Sequence, residues 1–155
     1  QWRFVVDCPD ARHIVLCENL NFLKTPRIAR DNHIELWYVG GNNISNIDYI
    51  PDHKLTLPLY YSCDWDYDGL KIYERLQDRF ARKSKSITLL YPSPILRKSV
   101  DSPEHNSRWK HDQPFSGLIR SAYSQEAISL IQDLIAQDEW VEEETCELIE
   151  MVKLT

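Results

Sequence analysis

Leu57-Pro58-Leu59-Tyr60-Tyr61-Ser62-Cys63 runs without a break into Asp64-Trp65-Asp66-Tyr67-Asp68-Gly69, and this junction decides the fold. The first half is an apolar, aromatic-rich run of strand length. Pro58 fits only near its start, because a proline deeper in a central strand would remove a ladder hydrogen bond. The second half alternates acidic and aromatic residues up to a glycine. Beyond it, Leu70, Ile72, Tyr73, Leu76 and Phe80 recur at nearly helical spacing between Lys71, Glu74, Arg75, Gln77 and Asp78, which predicts an amphipathic helix.

Upstream, Ile14-Val15-Leu16-Cys17 predicts a buried parallel strand that stops at Glu18-Asn19. A short helical linker over residues 26–31 leads to a second strand, Ile34-Glu35-Leu36-Trp37-Tyr38-Val39, halted by Gly40-Gly41 in a tight turn. A brief helix follows over residues 44–50. Downstream of the long helix, Ser86-Ile87-Thr88-Leu89-Leu90-Tyr91 predicts a fourth strand closed by Pro92 and Pro94. Strands and helices alternating in this way imply an α/β, Rossmann-like fold: a central, mostly parallel four-stranded sheet flanked by helices, with right-handed crossovers. Residues 93–115 turn polar, with Arg97, Lys98, Arg108, Lys110 and His111, and predict an irregular, mobile excursion. Ser124 then caps a helix carrying Ala127, Ile128, Leu130, Ile131, Leu134 and Ile135, and a last helix is expected over residues 141–152.

The 155 residues suffice for one domain with a real core, and an apolar fraction of 43% excludes a disordered chain. The chain starts at Gln1 with no leader, which predicts a C-terminal fragment of a longer protein. No apolar run is long enough to cross a bilayer, so no membrane partner is expected and the location predicted is cytoplasmic. Cys8, Cys17, Cys63 and Cys146 are scattered without a C-x-x-C pair, the pattern of reduced thiols. The net charge of −6 by itself disfavours nucleic acid. However, Asp138, Glu139, Glu142, Glu143, Glu144, Glu147 and Glu150 crowd one stretch without a base, and the rest of the chain is close to neutral.

In an open parallel sheet, ligands bind beyond the carboxyl ends of the strands. Glu18 ends one strand there, and Asp64 and Asp66 end another on the same side. Three carboxylates converging on one crevice suit Mg²⁺ (or Mn²⁺), a hard ion that prefers oxygen. A calcium loop is excluded, because its twelfth position would be Arg75 and a strand precedes it. Asp68 is expected to cap the following helix. Tyr60, Tyr61 and Tyr67 are read as packing aromatics, and His13, His33, His53, His105 and His111 as surface or core residues. There is no nucleophile elbow and no phosphate-binding G-x-x-x-x-G-K-[S/T] loop, so ATP hydrolysis would need another subunit.

Glu18-Asn19 after one strand, Gly40-Gly41 after the next and Asp64-x-Asp66-x-x-Gly69 after the third together resemble the Toprim domain. More narrowly, Glu18-Asn19 with Phe22, and the late Trp140-Val141-Glu142-Glu143-Glu144 segment, resemble the C-terminal Toprim domain of the Wadjet-type plasmid-defence nuclease subunit (JetD or MksG), itself related to the topoisomerase VI A subunit. The likeness spans roughly residues 13 to 145. Cys63 departs from it where such domains place Gly, as does Tyr67 where topoisomerase relatives often have Pro. The resemblance implies a metal-dependent DNA endonuclease that nicks or cleaves double-stranded DNA beside an SMC-like motor complex, with a second copy of the chain as a further candidate partner. Glu18, Asp64 and Asp66 would be catalytic and hold Mg²⁺, with Glu142 and Glu144 as additional ligands. Two alternatives stand beside it: an inert Toprim-shaped dimerisation or docking module, and a fragment of a topoisomerase or primase.

Overall fold

Ile14, Val15, Leu16 and Cys17 are fully buried, as a strand covered on both faces should be. In the structure, a computed structural model describing residues 4–41 and 43–155, they form the centre of a five-stranded sheet. In chain order the strands are β1 (Val5–Val6), β2 (His13–Cys17), β3 (Ile34–Tyr38), β4 (Leu59–Ser62) and β5 (Thr88–Leu89), arranged β1-β3-β2-β4-β5 across the sheet. All neighbours are parallel except β1, which runs antiparallel to β3. The expected four parallel strands are therefore present, with one strand more. The two valines of β1 are too short a run to show period-two alternation.

Helix α1 (Pro26–Asp31) joins β2 to β3, and α2 (Tyr67–Ala81) joins β4 to β5. Leu70, Tyr73, Leu76 and Phe80 form the buried face of α2. The predicted helix over 44–50 is a 3₁₀ turn (Ile44–Tyr49), and β5 is only the middle of the expected run. Glu35 is buried in β3 and still carries partners on every side. It accepts from the Cys8 backbone N–H at 3.0 Å, Trp37 Nε1 at 2.8 Å and Lys54 Nζ at 2.6 Å, which compensates for its lost hydration. The four cysteines are free and buried.

The second half of the chain departs most from expectation. Residues 93–115 contain a strand, β6 (Arg97–Ser99), which pairs antiparallel with β7 (Glu139–Val141). The excursion is anchored as well: Trp109 is buried, and its Nε1 donates to the Glu139 carbonyl at 2.9 Å. Helix α3 (Gln125–Gln137) begins on the Ser124 cap, as predicted, and ends at Asp138 in the left-handed region with φ 55°. That reversal sends the chain back as a strand, where a helix was expected from 141. A 3₁₀ turn (Glu143–Thr145) and α4 (Leu148–Lys153) follow. A bridge between Trp65 and Val141, with Trp65 N donating to Val141 O at 2.8 Å, ties this β6/β7 ribbon to the loop leaving β4. Among the described residues no helix is long and apolar enough to cross a membrane.

Candidate metal centre

The parallel strands, taken in chain order, lie second, first, third, fourth across the sheet. The order reverses between β2 and β4, and crevices at such switch points are where open α/β sheets bind ligands. Cys17 pairs with Ser62 at the carboxyl ends of these two strands, so Glu18 and Asp64 leave adjacent strands side by side.

The acids are held by one another's backbones. Asp64 N–H donates to Glu18 Oε1 at 2.8 Å. Asp64 Oδ1 accepts from the Asn19 side-chain amide at 3.2 Å and from the Glu143 N–H at 2.8 Å. Glu143 Oε1 accepts in turn from Asn19 N–H at 2.9 Å. Asp66 is the N-cap of α2, its Oδ1 accepting from Gly69 N–H at 2.8 Å. The cap was expected at Asp68, whose own N–H instead donates to Ser107 Oγ at 3.0 Å. Two glycines allow this closeness. A side chain at Gly40 would meet the Glu18 carbonyl oxygen at 1.9 Å, and one at Gly69 would meet the Asp64 carbonyl oxygen at 2.2 Å and Glu18 Oε1 at 2.8 Å.

Crowding shows in the charges. Burial, then the neighbouring Asp64 and Asp66, pushes Glu18 well above the usual carboxylate range. Burial raises Asp64 too, opposed by the Glu143 N–H and the Asn19 amide that favour its anion. Asp66 is pushed up to about 8 by burial and by Asp64. Glu143 reaches about 8, chiefly through burial. The Ser62 hydroxyl and the Asn19 amide groups oppose this by favouring its anion.

The structure thus brings Glu18 beside Asp64 and Asp66, with Glu18 and Asp64 46 positions apart in the chain. It treats the two glutamates of the late segment differently. Glu142 pairs with Lys98 and Glu144 is exposed, while Glu143 between them enters the cluster. Asn19 and His105 were also missed as site residues. His105 comes from the irregular excursion, its Nε2 3.4 Å from Asp66 Oδ2. Burial and the nearby Arg108 lower its pKa. Of the tyrosines, Tyr61 is buried and its hydroxyl donates to the Gly69 carbonyl at 3.1 Å.

Two buried carboxylates, Asp66 and Glu143, and two half-buried ones, Glu18 and Asp64, match a hard divalent cation in donor type. One oxygen of each is engaged by a backbone N–H. Among the described residues, no three His, Cys, Asp or Glu side chains already surround a single point in the way a bound ion would require. No family model, no curated protein and no solved structure matches the chain.

Proposed function

We propose that the chain is a Toprim-like, Mg²⁺- or Mn²⁺-dependent nuclease domain that nicks or cleaves double-stranded DNA, working beside an SMC-type motor in plasmid defence. The observation that carries the reading is the meeting of Glu18, Asp64 and Asp66 at the strand-order reversal between β2 and β4, joined there by Glu143. A solvated set of surface acids would be spread and exposed, whereas Asp66 and Glu143 are buried and Glu18 and Asp64 half-buried beside them.

Asp64 and Asp66 would hold the cation, with Glu18 and Glu143 completing its surroundings. The ion's contribution is to neutralise charge on the scissile phosphate and the leaving oxygen. Glu18, which burial and its acidic neighbours keep protonated near neutral pH, would give that proton to the leaving oxygen. Asn19 keeps Asp64 and Glu143 in register by bonding both. Lys110, whose Nζ lies 5.0 Å from the Tyr67 ring centre and which pairs with no carboxylate among the described residues, offers a cation beside the acids for a flanking phosphate. The other basic residues of the excursion are engaged: Arg97 pairs with Asp133, Lys98 with Glu142, and Arg108 donates to backbone carbonyls.

The test is nicking of supercoiled plasmid in Mg²⁺ or Mn²⁺ by the wild type, Glu18→Ala and Asp64→Ala. Wild type is expected to nick, and each variant to lose about 10²–10⁴-fold in rate. Equal nicking by all three would show contamination and sink the proposal. Nicking by none would leave the docking module as the better reading.

A further inference from the structure

Of the five histidines, His105 is the one the fold delivers to the acids. Its side chain is 10% exposed, and Nε2 faces Asp66 Oδ2 across 3.4 Å without forming a hydrogen bond. Buried polar atoms left without a partner are rare and call for an explanation. Asp66 has committed its other oxygen to Gly69 N–H, so Oδ2 is the one left to face the site.

The imidazole is held as well as buried. Trp140, on β7, stacks against it with ring centres 3.7 Å apart and planes within 14° of parallel. Lys98 on β6 lies 5.9 Å from the same indole, closing a stack that runs from the ribbon to Asp66. A ring held in this way has little freedom to turn its nitrogen elsewhere. The β6/β7 ribbon thus reaches the acids twice, once through Glu143 and once through Trp140 and His105.

We propose that His105 is a positioning residue for Asp66: its Nε2–H donates to Oδ2 and fixes the carboxylate's plane when a divalent cation binds, with Trp140 as the plate behind it. The proposal rests on the metal-binding reading of the site. Hydrogen bonds of this kind are commonly long before a site is loaded and shorten afterwards. Groups that orient a metal-binding side chain matter nearly as much as the ligand, and their loss typically weakens metal affinity by about 10–100-fold.

Calorimetric titration of the chain with Mn²⁺ alone, run alongside thermal melting, tests this in wild type, Asp66→Asn, His105→Phe, His105→Gln and His105→Asn. Phenylalanine keeps the stack on Trp140 and removes the nitrogen. Glutamine returns an N–H near the Nε2 position, whereas the shorter asparagine cannot reach Asp66. Wild type is expected to bind and Asp66→Asn to fail. His105→Phe should melt near wild type yet bind about 10–100-fold more weakly, and His105→Gln should recover to within a few-fold of wild type. His105→Phe binding Mn²⁺ as tightly as wild type overturns the positioning role and leaves the metal site standing. A wild type that binds no Mn²⁺ overturns the metal-binding reading itself, and this inference with it. Should His105→Phe not fold, the glutamine and asparagine variants decide, equal affinities for the two counting against the proposal.

Discussion

A methyl group at position 69 would sit 2.2 Å from the Asp64 carbonyl oxygen and 2.8 Å from Glu18 Oε1. The first contact is with backbone and cannot swing aside, so Gly69→Ala must push α2 away from the β4 loop. We expect a loss of about 1–3 kcal/mol, measured by urea unfolding, together with loss of Mn²⁺ binding. A Gly69→Ala variant as stable as wild type would contradict the packing. At this scale the sequence was informative where a side chain is placed by its strand. Glu18, Asp64 and Asp66 each follow an apolar run, and the end of such a run in a parallel sheet has only one kind of surroundings. Glu143 was hidden because it sits among six other acids in the same stretch, and composition cannot tell the buried one from its exposed neighbours. His105 carried no local signal at all, since its position depends on a contact with Trp140 some way along the chain.

Among the elements, the β6/β7 ribbon depends on Trp65. That indole is buried, packs edge-on against Tyr91 with centres 5.5 Å apart, and its backbone forms the bridge to Val141. Trp65→Ala is expected to cost about 3–5 kcal/mol in global stability. Amide exchange should rise more at Val141 and Glu143 than in β2, because the bridge is local. Uniform acceleration across both regions would show that ribbon and sheet open as one. The central strands and the long helix of the first ninety residues were legible because their patterns are clean: β2 is apolar from Ile14 to Cys17, and α2 repeats at helical spacing. The ribbon was not legible, because β6 is Arg97-Lys98-Ser99, exposed and without an apolar face, and its pairing is set by β7 from forty residues away. The helix expected over residues 141–152 begins only at Leu148: the left-handed Asp138 first turns the chain back as β7, and a non-glycine residue in that conformation is hard to foresee.

For the molecule as a whole, the raised carboxylates tie stability to pH. Between the ordinary values of 3.8 for Asp66 and 4.5 for Glu143 and their folded values of about 8, the folded chain binds more protons than the unfolded one. Their contribution is complete below the unfolded pKa and is lost as the pH rises through about 8. In chelator, the melting temperature should therefore fall from about pH 5 to about pH 8. Saturating Mg²⁺ or Mn²⁺ at about pH 8 should reverse the fall, since a ligand at about 100 times its Kd adds about 2.7 kcal/mol, or roughly 5–10 °C for a chain of this size. A melting point indifferent to both pH and cation would mean that the four acids do not share a site. The bond from Glu143 N–H to Asp64 spans 79 residues of chain, and the one from Asn19 N–H to Glu143 spans 124. During synthesis Asn19, Asp64 and Asp66 emerge from the ribosome long before Glu143 does. The pocket therefore stays unfinished until Glu143 has been made, and whatever chemistry the acids perform can begin only once that segment has folded back.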